Sequence, residues 1–160
     1  MIDHVTHMQE ALRLAHLAGN QDEVPVGAVV MRDTLRMGEG YNQNILRSDP
    51  TAHAEVMALR EACAYQANYR LSDAVIYVTL EPCLMCYTAI VHARVDTLVY
   101  GASDPKSGFT HFLDTERLGR FNHRPTIIAG VLAEECSQLI QAFFRQKRER
   151  GKRKWLKNRT

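Results

Sequence analysis

The chain has 160 residues, and its 46% hydrophobic and 24% charged residues suit one globular domain with a buried core. No apolar run approaches the roughly 20 residues of a membrane-spanning helix, so we expect no membrane association. Because the N-terminal segment lacks the basic and apolar regions of a secretory signal, we expect a cytoplasmic, reducing location. The net charge of +2 is uneven, since residues 145–160 hold nine Lys or Arg and one Glu. Such a basic tail is typical of a segment that binds phosphate groups or of a solvated terminus.

The first half of the chain predicts two helices separated by a β-hairpin. Apolar residues at helical spacing indicate the first helix, and two stretches joined by a short polar turn indicate the hairpin. Asp49 followed by Pro50 predicts the start of the second helix, with Asp49 as N-cap and Pro50 at the first helical position. The predicted elements are a helix over residues 2–18, strands over 24–31 and 35–42, and a helix from about 52 to 67.

The second half of the chain predicts strands that alternate with helices, and its polar residues 102–124 indicate a loop with one helical turn. This order predicts a single α/β domain over residues 1–160, with three α/β/α layers and a central mixed five-stranded sheet. The first two strands should pair antiparallel, the later strands should pair parallel, and the basic tail should extend the last helix. The predicted elements are strands over 74–80, 96–101 and 126–131, a helix that begins at Pro82, and a last helix that contains 136–144.

Two of the four cysteines, Cys83 and Cys86, form a C-x-x-C pair at a predicted helix start. Their spacing places both sulfur atoms on one helix face, where the helix N-terminus favours thiolates. Two thiolates bind zinc well, but a thioredoxin-like redox pair also uses C-x-x-C after a strand, and the spacing leaves both functions open. We expect the other two cysteines, Cys63 and Cys136, to be small buried hydrophobic residues.

His53 and Glu55 lie at the start of the other helix, in an otherwise apolar stretch. If both helices pack on the same face of the sheet, His53 joins Cys83 and Cys86 as the third ligand of a zinc ion. Three protein ligands with an open fourth position are typical of a catalytic zinc that activates water. Glu55 is then the candidate to take a proton from that water and pass it to a leaving group. The alternatives for Glu55 are a surface position or a role as fourth ligand in a closed, structural zinc site.

Both motifs match the H-x-E and P-C-x-x-C signature of the zinc-dependent nucleobase deaminases, through residues 53–55 and 82–86. Beyond this signature, the sequence resembles the family of bacterial tRNA-specific adenosine deaminases over nearly the whole chain. The matching stretches are EVPVGAVV (23–30), GEGYN (38–42), DPTAHAEVMALR (49–60), NYRL (68–71), YVTLEPCLMC (77–86), VYGASDPKSG (99–108), NHR (122–124) and FFRQKR (143–148).

This resemblance implies a cytidine deaminase-like fold, a homodimer, one zinc ion per subunit, and hydrolytic deamination of adenosine to inosine at the wobble position of a tRNA anticodon. It also implies that His53, Cys83 and Cys86 bind the zinc ion and that Glu55 transfers protons. The residues that it places on the RNA are Val26, Asn42 and the Ala54 backbone at the target base, Asp104 at the nucleotide backbone, and Phe144, Arg145, Lys147 and Arg148 along the RNA.

The sequence departs from the family pattern at two places, where Tyr87-Thr88-Ala89 and Phe109-Thr110-His111 replace small residues. In the family, the first place lies in a helix that often forms the dimer interface, and the second lies in a loop that borders the RNA. The residues leave three other functions open: a deaminase of free cytidine, deoxycytidylate or guanine, a non-catalytic RNA-binding protein with a structural zinc, and a cytosine editor that acts on nucleic acid.

Overall fold

The computed structural model describes residues 2–159 of the chain, in which a five-stranded sheet lies between two layers of helices. A 3₁₀ turn at Phe109–His111 interrupts the long loop after the fourth strand. None of the helices in this part of the chain is both long and apolar enough to span a membrane. The main elements in chain order are α1 (His4–Asn20), β1 (Gly27–Arg32), β2 (Leu35–Tyr41), α2 (Asn44–Arg47), α3 (Ala54–Gln66), β3 (Val75–Leu80), α4 (Leu84–His92), β4 (Thr97–Ala102), α5 (Thr115–Gly119), β5 (Thr126–Ala129) and α6 (Ala133–Lys157).

The sheet has the strand order β2-β1-β3-β4-β5. β1 pairs antiparallel with both β2 and β3, whereas β3 pairs parallel with β4 and β4 pairs parallel with β5. The mixed five-stranded sheet predicted from the sequence is therefore confirmed, with the hairpin and the parallel pairs in the expected places. Since β2 and β3 both run opposite to β1, they run in the same direction, and their carboxyl ends lie at the same edge of the sheet.

Helices α3 and α4 follow β2 and β3 at this edge and pack on one face of the sheet. Their buried residues, such as Ala58 and Ile90, form one apolar cluster with Val78 of β3. Helices α1 and α6 cover the opposite face, where Tyr77 of β3 and Cys136 belong to a second cluster. Neighbouring residues of one strand serve both clusters because successive side chains point to opposite faces. The two helices that carry the predicted site therefore begin at the same edge and on the same face.

The start of α3 differs from the prediction. The helix begins at Ala54 rather than at about residue 52, and its N-cap is His53 instead of Asp49. The Asp49 carboxylate accepts hydrogen bonds from the N–H group and the hydroxyl of Thr51, at 2.8 and 2.7 Å. Asp49 therefore closes a local turn, a common role for Asp, and is not available to cap the helix.

Two smaller features also differ from the sequence-based expectation. The sequence does not predict α2, whose first N–H groups donate to the carboxylate of Glu23, a buried residue that is distant along the chain. Cys136 is buried as expected, but Cys63 is only partly buried. The Cys63 thiol donates a hydrogen bond to the carbonyl oxygen of Tyr69, so it serves as a weak polar group as well as an apolar one.

Gly40 of β2 lies directly against the first turns of α3. A Cβ atom at this position would lie 2.5 Å from the carbonyl oxygen of Ala54 and 2.6 Å from the nitrogen of Ala58. We expect Gly40→Ala to lower the free energy of unfolding in urea by about 2–3 kcal/mol, because α3 must move away from the sheet. Gly151→Ala is the control, since a Cβ atom there meets nothing within 4 Å and alanine favours the helix. Wild-type stability of Gly40→Ala would contradict the close packing of α3 on β2.

Candidate active site

The three predicted metal ligands meet where α3 and α4 begin. His53 is the N-cap of α3 and Cys83 is the N-cap of α4, and both have the extended backbone conformation that is usual for this position. The Nδ1 atom of His53 lies 3.6 Å from the Cys83 sulfur and 3.5 Å from the Cys86 sulfur. All three donor atoms lie within 4.8 Å of one another. We refer to His53, Cys83 and Cys86, the candidate metal ligands, as the metal-ligand group.

The metal-ligand group fits a zinc ion. Two sulfur atoms and one imidazole nitrogen form a donor set that zinc prefers. In a tetrahedral site with ligands at about 2.0–2.3 Å, neighbouring donor atoms lie about 3.5 Å apart, which matches the two His–Cys separations. Among residues 2–159, no fourth His, Cys, Asp or Glu joins the group. This part of the chain therefore supplies three ligands, as in a catalytic zinc site, rather than the four of a structural site.

The pKa values of the two cysteines in the metal-ligand group shift in opposite directions. The pKa of Cys83 is lowered to about 4, chiefly because the Cys86 thiol donates a hydrogen bond to it, and His53 stabilises the thiolate further. The same hydrogen bond, together with burial and the nearby Glu55 carboxylate, raises the pKa of Cys86. The pKa of His53 is raised because its ring is hydrogen-bonded to Cys83. A metal ion would compete with protons for these three groups, since its ligands bind in their deprotonated forms.

Glu55 lies in the first turn of α3 and is only 4% exposed. Burial raises the pKa of its carboxyl group to about 6, within the range that suits proton transfer near neutral pH. His53 and Glu55 are two residues apart, a spacing that would turn them away from each other on a regular helix. Because His53 precedes the helix in an extended conformation, both side chains line the same cavity. The alternative of a surface position for Glu55 is therefore wrong.

The cavity over the metal-ligand group and Glu55 has a volume of about 290 Å³. The side-chain oxygen of Asn42 accepts a hydrogen bond from the backbone N–H group of Ala54 at 2.8 Å. The backbone N–H group of Asn42 donates to the Val26 carbonyl oxygen at 3.1 Å. The Asn42 NH₂ group has no hydrogen-bond partner among the described residues, so it can bind a ligand in the cavity. Ala54 does not line the cavity, and its N–H group is occupied by Asn42. The predicted substrate residues that line the cavity are Val26, Asn42 and Asp104.

A larger groove of about 790 Å³ adjoins this cavity and shares part of its wall. Helix α6 forms the far side of the groove and presents basic and aromatic side chains to it. Lys147, which the resemblance places on the RNA, does not line the groove, and its ammonium group lies 5.8 Å from the ring centre of Phe143. The predicted RNA-binding residues that line the groove are Asp104, Phe144, Arg145 and Arg148.

A protein-family model described as MafB19-like deaminase matches residues 2–148. The chain belongs to this deaminase family. The deaminase is 49% identical over 150 residues to the tRNA-specific adenosine deaminase of Haemophilus influenzae, a match that covers 91% of this chain and 85% of that protein. The tRNA-specific adenosine deaminase of Bacillus subtilis is 40% identical over 147 residues, and the match covers 91% of each chain.

Solved structures have the same architecture as this deaminase. A protein from a study of A-to-I editing by tRNA:A34 deaminases is similar with a TM-score of 0.78 and 39% identity, covering 84% of this chain and 98% of that one. A guanine deaminase from Nitrosomonas europaea has a TM-score of 0.77 at 22% identity, covering 89% of this chain and 85% of that one. The predicted cytidine deaminase-like, three-layer fold is therefore confirmed.

Glu81, an acidic residue that is only 2% exposed, also contributes to the site of the deaminase, although the sequence did not predict a role for it. Its carboxylate accepts the N–H group of Asp104 at 2.9 Å, and also the N–H group and the hydroxyl of Thr110. A side chain at Gly108 would overlap this carboxylate, so glycine lets the loop close over it. Glu81 therefore fastens the 103–110 loop to the end of β3. The sequence signal is an acidic residue directly after the apolar strand VIYVTL.

The two departures from the family pattern contact each other inside the deaminase. Tyr87 is 1% exposed and Phe109 is fully buried, and their rings stack with centres 4.2 Å apart and planes 10° apart. Tyr100 and Phe121 pack edge-on against this pair. Such aromatic pairs contribute about 0.5–1.5 kcal/mol beyond their buried area. The larger side chains therefore join α4 to the 103–110 loop in the interior, away from the surface.

Proposed function

We propose that this deaminase converts adenosine to inosine at the wobble position of a tRNA anticodon by zinc-dependent hydrolysis. The observation that carries the proposal is the buried Glu55 beside the metal-ligand group, in a cavity that opens into a basic groove. Arg145 and Arg148 in this groove suit the phosphates of RNA, which a free base does not have. The similarity to tRNA-specific adenosine deaminases supports the same substrate.

The metal-ligand group would hold one zinc ion per subunit, whose Lewis acidity lowers the pKa of water to about 7. Glu55 takes a proton from the attacking water as the oxygen adds to C6 of adenine. Glu55 delivers this proton to N1, then takes the remaining proton from the new hydroxyl group on C6 and passes it to the amino group as the C6–N bond breaks, so that adenosine and water give inosine and ammonia. The burial of Glu55 supports both steps, because a carboxyl group with a pKa of about 6 can accept and donate protons near neutral pH.

The target base is held between the walls of the cavity. Asn42 donates its NH₂ group to an acceptor on the base and Val26 packs against the ring, while the Ala54 N–H group holds the side chain of Asn42 in position. Asp104 stands where the cavity meets the groove and contacts the nucleotide backbone next to the target. A carboxylate repels phosphate but accepts a hydrogen bond from a ribose 2′-hydroxyl, so Asp104 favours RNA over DNA at this position.

The rest of the anticodon loop follows the α6 side of the groove. Phe144 is 38% exposed and offers a surface on which an unpaired base can stack. Arg145 and Arg148 pair with phosphates inside the groove, and Lys147 reaches the RNA from outside it. An unpaired anticodon base reaches the cavity at a lower cost than a base in a duplex, because less stacking and pairing is lost.

Substrate competition tests the proposal. The full chain is given an anticodon stem-loop with adenosine at the wobble position, and separately free adenosine, cytidine and guanine. We expect kcat/KM to be highest for the stem-loop and sequencing of the treated RNA to show A-to-G changes at that position alone. Faster turnover of a free base or nucleoside would favour a small-molecule deaminase, and C-to-U changes would favour a cytosine editor.

Glu81→Gln is expected to raise KM for the stem-loop about tenfold while kcat changes less than about twofold. The amide NH₂ group of glutamine faces the N–H groups of the 103–110 loop, so Asp104 loses its position, whereas Glu55 and the metal-ligand group keep theirs. Thr110→Val removes one partner of Glu81 and should raise KM in the same direction by a smaller factor. If the double variant has the same KM as Glu81→Gln alone, both residues act through one contact. A fall in kcat as large as the rise in KM would contradict a positioning role for Glu81.

We also propose that the whole chain forms one deaminase domain that assembles as a homodimer and acts in the cytoplasm. The support for the dimer is a surface at the carboxyl end of α3, where the aromatic side chains of Tyr65 and Tyr69 are 63% and 65% exposed. Clustered apolar and aromatic side chains on a surface are typical of protein interfaces. Light scattering of the purified chain should give a mass near twice 18.2 kDa.

A further inference from the structure

Residues 149–159, here called the extension, lie beyond the part of the chain that the family model matches, yet α6 continues through them to Lys157. The last buried residue of α6 is Phe143, and every later described residue is exposed. The helical part of the extension, residues 149–157, therefore adds about 13 Å of exposed helix beyond the groove. An ion pair of 2.9 Å between Arg150 and Asp22 ties the start of the extension to the turn after α1.

One face of the extension continues the groove. Arg148, which lines the groove, is followed by Lys152 and Trp155 at spacings of four and three residues, which place all three on the same helix face. Arg159 follows the end of the helix, and its guanidinium group lies 4.3 Å from the ring centre of Trp155, a cation–π contact. Two cations therefore flank an aromatic side chain that is 56% exposed.

The remaining side chains of the extension favour a nucleic acid over a membrane or another protein as its partner. Arg153 and Lys154 lie on the other side of the helix, about 140° and 120° away from Arg148. After Phe144, the only apolar side chains in the described part of the chain are Trp155 and Leu156. The extension therefore has no apolar stripe for a membrane or for the groove of another protein, and its excess of positive charge matches a phosphate backbone.

We propose that the face formed by Lys152, Trp155 and Arg159 binds the phosphate backbone of the substrate RNA outside the anticodon loop, in the adjoining stem. This inference rests on the proposed function and adds a second contact region to it. Lys152 and Trp155 lie about 6 and 10 Å beyond Arg148 along the helix axis. They therefore reach phosphates farther from the target base than those held in the groove.

Trp155 is the single tryptophan of the chain, so its fluorescence in the full-length protein reports directly on this face. Titration with full-length tRNA is expected to change the Trp155 emission with the same midpoint as tRNA binding measured by filter retention. An anticodon loop closed by a short stem is expected to be deaminated without this change. Deamination of full-length tRNA with unchanged Trp155 emission would overturn the proposal.

A pair of matched double variants distinguishes RNA binding by this face from general attraction by the positive charge of the whole extension. Lys152→Ala with Arg159→Ala is expected to raise Kd for full-length tRNA roughly tenfold and to reduce the salt slope of binding by about 2. Arg153→Ala with Lys154→Ala removes the same charge from the opposite face and is expected to change Kd less than about twofold. Equal weakening by both variants would overturn the proposal, as would a preference for anionic lipid vesicles over tRNA. If the wild-type chain binds tRNA and the two double variants differ in Kd as expected, but the wild-type chain forms no inosine, the binding face is supported and only the proposed function fails.

Discussion

Glu55→Gln is expected to lower kcat for adenosine deamination about a thousandfold while leaving the zinc content unchanged. Glu55 is buried in the cavity but does not belong to the metal-ligand group, so the amide keeps the shape of the site and loses the proton carrier. KM for the stem-loop should change little, because the contacts of Asn42 and the groove remain. The measurement is single-turnover formation of inosine, with zinc measured in the same protein.

Glu61→Gln is the control for this variant. Glu61 lies on the same helix, is exposed, and accepts the backbone N–H group of Glu39. The Glu61→Gln variant should retain wild-type turnover, since neither the charge of Glu61 nor its hydrogen bond reaches the cavity. Substantial activity of Glu55→Gln with full zinc content would remove Glu55 from the proton-transfer steps and leave the metal-ligand group without an adjacent acid–base residue.

Removal of the metal is expected to abolish turnover and to leave the fold intact. The starts of α3 and α4 are held by the apolar cluster on their face of the sheet and by the close contact of α3 with Gly40, neither of which needs a metal ion. After chelation, circular dichroism should keep its helical signal and added zinc should restore activity. Unfolding on chelation would instead support the RNA-binding protein with a structural zinc.

Cys83→Ser gives the same test by mutation. It is expected to lose bound zinc and to reduce turnover to background, because serine does not replace a thiolate as a soft ligand. Cys63→Ser is the matched control, since Cys63 is partly exposed and outside the metal-ligand group, and it should keep both zinc and activity. Full zinc binding by Cys83→Ser would show that the ligand set differs from the proposed one.

The metal-ligand group could be predicted from the sequence because its chemistry lies in short motifs at element boundaries. His53, Cys83 and Cys86 each sit at or just inside a helix start, and the order of strands and helices places both starts at one edge of the sheet. The helix cap was predicted wrongly, because Asp49 followed by Pro50 suits a helix start, and only the structure shows that Asp49 bonds to Thr51 and that α3 has its N-cap four residues later, at His53.

Other parts of the site depend on contacts between segments far apart in the sequence. Glu81 accepts hydrogen bonds from Asp104 and Thr110, which follow it in the sequence by 23 and 29 positions, so its role becomes apparent only in the folded loop. Tyr87 and Phe109 appear in the sequence as two separate departures from the family pattern, and only the structure shows that their rings stack. Side-chain periodicity carries local information, whereas these pairs are set by tertiary packing.

Inosine formation in an anticodon stem-loop with adenosine at the wobble position, measured together with the zinc content of the same protein, tests the central claim most directly. We expect inosine at that position alone, at a rate that rises with bound zinc and saturates at one zinc ion per subunit. Inosine formation by the zinc-free protein, or a fully zinc-loaded protein that leaves this adenosine unchanged, would contradict a zinc-dependent tRNA adenosine deaminase.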